Sequence, residues 1–124
     1  MQVRHKRHGR ISKKGWGNEV IIISSRENNY TGKILNFNQN TKTSTHFHSI
    51  KNKTLYVLSG SITIGVIDPV DTTQYTYTVD TDEAFDIEPN VTHYLEAKNG
   101  PATILELSTY HEDKDVYRVA SGNK

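Results

Sequence analysis

Two histidines two residues apart, His46 and His48, are the first residues whose type and spacing suggest chemistry. Side chains alternate faces along an extended strand, so both imidazoles project to one side, roughly 6 to 7 Å apart, while Phe47 turns away. Two imidazoles on one face can grip a single ion, and the same pattern also occurs on half-exposed strands with no metal at all. The chain has no cysteine, which excludes disulfides and thiolate metal sites and leaves His, Asp and Glu as ligands for any transition ion. Among other reactive types, Lys33 and Arg118 could hold a phosphate or an anionic sugar, Arg being the better bidentate partner. Tyr30 and Tyr94 could offer hydroxyls to a ligand, and Glu19, Glu96 and Glu106 are carboxylates available as a fourth ligand or a general base. Trp16 could stack on a sugar ring or anchor a core, and Tyr56 should face outward because Leu55 and Val57 take the opposite face. His5, His8 and His111 are expected to be exposed.

The elements that must position these residues read as strands. From Glu19 onward the sequence breaks into short runs rich in Val, Ile, Thr, Tyr and Phe: 20–24, 30–37, 43–48, 54–58, 61–67, 75–79, 84–87, 93–97 and 102–107. Between them stand Asn38-Gln39-Asn40, Ser59-Gly60, Asp68-Pro69, Glu88-Pro89-Asn90 and Asn99-Gly100-Pro101, residues that tolerate or impose turn geometry. No long amphipathic helix is visible; only 111–118 offers a short helical turn. Close-spaced strands of this kind make a sandwich or a barrel, so the fold class is all-β. At 124 residues a single core is expected, with a basic arm over 1–14, one domain over 15–120 and a C-terminus over 121–124 that frays.

Spacing extends the histidine pair into a longer pattern. His48 is followed five residues later by Lys53, Gly60 stands seven residues beyond that, and Ile87-Glu88-Pro89-Asn90-Val91-Thr92-His93 lies far downstream. In these two segments the chain resembles the cupins, whose first motif is His-x-His, a Glu about five residues on and a Gly seven further, and whose second is a Gly and then a Pro-Pro-x-x-x-His type turn. The resemblance implies a double-stranded β-helix, or jelly-roll barrel, in which His46, His48 and His93 converge as metal ligands. Within that superfamily it is similar to the cupin domain of the mannose-6-phosphate isomerase type (type II), through Trp16-Gly17 with Glu19, Tyr30 to Ile34 with Lys33, Glu106-Leu107-Ser108 and Asp115-Val116-Tyr117-Arg118. The pattern departs from the family at Lys53, where the metal-binding Glu is expected, and at Asp82 and Glu88, which replace a glycine and a proline.

Lys53 leaves two outcomes open. Three neutral imidazoles with water could still hold Zn, Mn, Fe or Ni, or the pocket is metal-free and Lys53 joins the histidines in a cationic floor for a carboxylate, phosphate or sugar hydroxyl. The resemblance implies a sugar or sugar phosphate as small-molecule ligand and an isomerase- or epimerase-like proton transfer, with Lys53 as base if its pKa is lowered and Lys33, Tyr30 and Arg118 binding substrate. The alternative is a non-catalytic binding or assembly module. The family also implies a homodimer with N-terminal strands exchanged between subunits.

Charge and hydropathy bound the rest. The formal net charge is +1, yet the first 14 residues carry six Lys or Arg and no acid, leaving nine basic against fourteen acidic residues in the remainder. A basic arm on an acidic body could touch nucleic acid, a membrane surface or an acidic subunit; nucleic acid ranks last because the body itself is acidic. No apolar h-region follows the basic residues and no run approaches ~18 apolar residues, so a cytoplasmic protein without a membrane partner is expected.

Overall fold

A computed structural model describes residues 2–4 and 10–124; His5 and His8, and with them most of the arm's first half, lie outside the described residues. The chain forms twelve strands: β1 (Arg10–Lys14), β2 (Gly17–Ser25), β3 (Tyr30–Phe37), β4 (Thr41–Lys42), β5 (Thr45–His48), β6 (Lys53–Ser59), β7 (Ser61–Ile67), β8 (Gln74–Asp80), β9 (Ala84–Ile87), β10 (Thr92–Ala97), β11 (Ala102–Ser108) and β12 (Val116–Ala120). They make two antiparallel sheets, ordered β1-β2-β3-β11-β6-β9 and β12-β5-β10-β7-β8, with β4 also on β10. The sheets do not close into one continuous hydrogen-bonded ring. Among the described residues no helix is long and apolar enough to cross a membrane.

Nine of these strands coincide with the runs of β-forming residues; three do not. Arg10–Lys14, expected as part of a basic arm, is strand β1, paired with Gly17–Ile21 of β2. Lys42 and Thr41 form a separate short strand; next to them the Thr43 N–H donates to the Leu95 carbonyl at 2.9 Å while the Thr43 hydroxyl accepts the Leu95 N–H at 3.0 Å, so a side chain replaces one backbone acceptor of the ladder. The tail makes only a short 3-10 turn at Asp113–Asp115 and then becomes strand β12 against β5. Beyond it Asn123 is held at Lys42, its N–H donating to the Lys42 carbonyl at 3.0 Å and its Oδ1 accepting the Lys42 N–H at 2.6 Å, so the segment expected to fray has a hydrogen-bonded partner.

Turn chemistry agrees with backbone geometry. Gly60 joins β6 to β7 at φ +78°, with the Pro101 carbonyl only 2.5 Å from where a Cβ would stand; glycine is required there by both conformation and space. Asp82 takes φ +68°, the left-handed region that Asp tolerates better than most residues, which is how the chain dispenses with a glycine at that turn.

The inward face changes character along each strand. With period two, β3 presents Lys33, Leu35 and Phe37, β6 presents Lys53, Leu55 and Val57, β10 presents His93, Leu95 and Ala97, and β11 presents Glu106, Ile104 and Ala102, all of them buried. One half between the sheets is therefore an apolar core, completed by Trp16, which stacks on Phe37 at 4.4 Å, and by Ile62, Ile64, Val79 and Ile87. The other half is lined by charge and imidazole. Burial of the apolar half holds the polar half open, so truncation in the core should cost stability without touching the site directly. Leu55, fully buried, is the test: Leu55→Ala is expected to lower unfolding free energy by about 2–5 kcal/mol, measured by chemical denaturation.

Candidate metal centre

His46 on β5 and His93 on β10 are directly paired across the sheet, their ring centroids 4.8 Å apart. His48, two residues along β5, places its ring 5.1 Å from His46 and 6.2 Å from His93. The turn that delivers His93 is tied to this strand, because the N–H of Asn90, at φ +68°, donates to the His48 carbonyl at 2.6 Å. One nitrogen from each of the three rings lies within 4.8 Å of the other two.

Hydrogen bonds orient the rings. His93 Nδ1 is 2.8 Å from the Val91 carbonyl and His46 Nδ1 is 2.9 Å from the Ser44 carbonyl; a carbonyl only accepts, so in each ring Nδ1 carries the proton and Nε2 is left with its lone pair. His93 Nε2 and His48 Nδ1 are buried without a hydrogen-bond partner among the described residues. Buried polar atoms are rarely left so, and a metal ion is one group that would satisfy them. Burial, followed by the charge of Lys53, pushes His46 down to about 4 and His48 to about 3, and holds His93 well below the usual imidazole value. All three rings are neutral at pH 7, the form that ligates metal. These residues fit a divalent transition ion.

Beside them lies a buried ionic network. Lys51 Nζ donates to Glu106 Oε2 at 2.8 Å, Lys53 Nζ stands 3.9 Å from Glu106 Oε1, and Lys33 Nζ is 3.6 Å from Glu19 Oε1. Burial disfavours the charged form of Glu106, but Lys51, Lys53 and Lys33 outweigh it and hold the carboxyl far below the usual carboxylate range. Burial lowers Lys53 to about 8, with Glu106 opposing and Lys51 adding to the fall. Lys53 is thus close to the point at which it can give up or accept a proton near neutrality. Three buried lysines face two carboxylates, and Arg118 lines the same cavity of about 390 Å³, so the site carries an excess of positive charge.

Most of the expected site residues meet in this cavity: His46, His48, Lys53, Lys33 and Arg118 line it, with His93 fully buried behind them. Tyr30 does not; it is exposed at the first position of β3 and lines no part of the cavity. Tyr94 points to the opposite face from His93, its hydroxyl accepting from Gln74 Nε2 at 2.8 Å. Tyr56 faces outward as alternation requires and donates to Asp82 Oδ1 at 2.9 Å. Glu96 pairs with Lys42 and Thr63 away from the cavity. His111, expected to be exposed, is half-buried: its Nδ1 is 3.1 Å from Lys51 Nζ, and its ring stands edge-on to His48.

Two contributors were not among the expected site residues: Lys51 belongs to none of the motif segments, and Asp115 stood in the 115–118 segment without a role at the site. Lys51 sits in the turn after β5. Asp115 holds that turn, its Oδ1 accepting from Ser49 N at 3.0 Å, Ser49 Oγ at 2.7 Å and Ile50 N at 3.2 Å, and its Oδ2 from Lys51 N at 3.0 Å. A carboxylate facing consecutive backbone N–H groups was invisible in sequence because those donors belong to every residue.

No family model and no curated protein matches the sequence. Solved structures do match the fold. The capsular polysaccharide assembling protein CapF from Staphylococcus aureus superposes with a TM-score of 0.80 at 19% identity, over 90% of this chain and 34% of that one. Oxalate decarboxylase from Bacillus subtilis gives 0.80 at 12% identity over 92% and 31%, and that from Lactobacillus farciminis 0.78 at 10% over 96% and 37%. Both kinds of protein are built on the cupin fold. The chain has the cupin fold. It spans about a third of each of these larger proteins, and at such identities the likeness speaks to architecture. Within this cupin fold, the three histidines form a group able to hold a metal.

Two outcomes are expected. His93→Ala removes the central ring and should abolish stoichiometric Zn or Mn binding, while Lys53→Gln, which removes the competing ammonium, should tighten it by roughly tenfold, both read by metal titration. Asp115 has burial working against its charge, but the hydrogen bonds from Ser49, Lys51 and Ile50 outweigh that and lower its pKa. A carboxylate lowered on folding adds stability that is fully present above its unfolded value near 4 and is lost as pH falls through the folded value. Melting temperatures between pH 5 and 2.5 should therefore fall less steeply in Asp115→Asn than in the parent, although the variant starts lower.

Proposed function

We propose that this cupin holds a divalent transition metal on His46, His48 and His93 and acts on a sugar or sugar phosphate by isomerase- or epimerase-like proton transfer. The observation that carries the reading is the convergence of three neutral imidazoles, two of them lining one cavity and His93 buried behind it, with a buried lysine lowered to about 8 in the same cavity. When bound, the ion would supply Lewis-acid polarisation of a carbonyl or hydroxyl oxygen. Lys53, in its neutral form, takes the proton from the carbon next to the carbonyl and returns it to the former carbonyl carbon, while the proton of the adjacent hydroxyl passes to the former carbonyl oxygen, leaving the lysine as it began. Glu106, ionised and 3.9 Å away, stabilises the ammonium formed in between. Lys33 and Arg118 hold the anionic group of the ligand and Trp16, at the cavity wall, offers a ring face.

Surplus positive charge favours an anion as occupant, since a buried charge without a partner is costly. The similar solved structures point the same way by name, one being a capsular polysaccharide assembling protein and the others decarboxylases of oxalate, a small dianion. The homodimer implied by the family resemblance belongs to this proposal: among the described residues β1 pairs on its β2 side and on no other, an edge to which a second copy could add.

A second reading is a non-catalytic binding or assembly module. What favours it is Lys53 itself, an ammonium precursor engaged by Glu106 at the position where the family resemblance expects a ligand carboxylate. Aldose to ketose exchange, followed on a panel of sugar phosphates with Mn, Zn, Fe and Ni added in turn, separates the two. Turnover that disappears in Lys53→Met while ligand affinity persists is the expected result. Binding without turnover under every metal would establish the module instead.

A further inference from the structure

The histidine cavity continues outward. Lys14, Glu19, Lys33, His111 and Asp113 line it and also line a second groove of about 900 Å³, bounded by β1, β2 and the segment 110–114. Neither space is isolated from the other, and the outer one is more than twice the volume of the inner. A single sugar phosphate placed with its reacting carbons at the histidines would leave the outer groove to solvent.

Chemistry along the outer groove is cationic and polar. Arg10, Arg26 and Lys114 line it without reaching the inner cavity. Glu112 is within 3.1 Å of Arg26 and 3.5 Å of Lys114, so one carboxylate serves two cations and the stretch retains positive charge. Ile11 and Ile21 are its only aliphatic side chains, too few for the apolar anchors by which peptides are gripped. Of its two rings, His111 is engaged with Lys51 and His48, and Tyr110 has one face covered by the Arg26 guanidinium at 5.3 Å, which leaves little open ring face for nucleobases to stack on. Hydroxyl-rich, negatively charged units in a row suit such a surface: hydroxyls meet the polar side chains, and each acidic group finds a cation.

Resting on the functional reading above, we propose that the ligand is an acidic oligosaccharide, with one terminal unit in the histidine cavity and the following units laid along the outer groove over Arg10, Arg26 and Lys114. The outer groove is then a specificity subsite for chain length and charge. It leaves the chemistry at the histidines unchanged.

Calorimetric titration of the full chain with galacturonate, tetragalacturonate and neutral maltotetraose tests this at moderate salt. The tetramer of galacturonate should bind at least roughly tenfold more tightly than the monomer, and more tightly than maltotetraose. In Arg10→Glu/Lys114→Glu that gain should vanish with monomer affinity kept, and the milder Arg10→Gln/Lys114→Gln, which cannot unfold the groove by repulsion, should lose part of it. Equal affinity for monomer and tetramer, equal affinity for the neutral chain, or a gain that survives in both variants overturns the subsite. If neither galacturonate nor sugar phosphate binds at all, the reading of the inner cavity falls with it; monomer binding without a chain-length gain sinks the outer groove alone.

Discussion

Burial of Glu106 among three lysines is the interaction on which the site depends. Its two oxygens face Lys51 at 2.8 Å and Lys53 at 3.9 Å, and all three side chains are almost wholly removed from water. Any one of these charges alone would be expelled or neutralised. Together they are tolerated, and their joint field decides the state of everything near them. Lys53, by its charge and after burial itself, lowers His46, His48 and His93. The neutral imidazoles that a metal needs are thus maintained by the cations that stand in a metal's way.

The apolar half makes this arrangement affordable. Because side chains alternate on β3, β6, β10 and β11, each of these four strands contributes both a charged or imidazole group and two apolar core residues on the same face. Shifting any of these strands by one residue would exchange both sets at once for outward-facing residues. Register therefore fixes the core and the cavity together, and selection for packing at Leu35, Leu55, Leu95 and Ile104 keeps Lys33, Lys53, His93 and Glu106 convergent.

Much of this was legible in the chain itself. The strands from β2 to β11, β4 apart, follow their β-branched and aromatic runs, and His46, His48 and His93 meet because a period of two and a Pro-Asn turn put them there. Lys33 and Lys53 precede Leu35 and Leu55 by two residues, so the period that turns those leucines inward turns the lysines to the same face, although a charged residue on a strand is ordinarily solvated. What escaped was whatever depends on tertiary partners. Strand β1 is highly charged and weakly β-forming, and it becomes a strand by pairing with β2. Strand β12 exists because β5 has a free side. His111, remote from every motif, reaches Lys51 because the segment after β11 folds back over the cavity. Tyr30 was misplaced because its position in a family-like strand says nothing about which end of the strand opens to the cavity.

Lys53 stands where the sequence resemblance implies a carboxylate, and the cavity nevertheless holds negative charge beside it. Ser108 of β11 lies opposite Lys53 in the ladder and Glu106 opposite Leu55, so Glu106 sits one step along the same inward row, on the neighbouring strand. An acid there cannot take the place of the missing ligand on the histidines, since it is committed to Lys51. It can keep a buried ammonium at 53 from repelling the whole cavity. The consequence is a centre poised between two occupants: a cation held by three imidazoles, with Lys53 deprotonated, or an anion held by the lysines, with Lys53 protonated. A ligand that brings its own negative charge to a bound metal resolves the conflict, because it meets the ion and the lysines at once. On the reading proposed above, that charge balance is the physical reason an anionic ligand suits a cavity in which Lys53 stands beside three imidazoles.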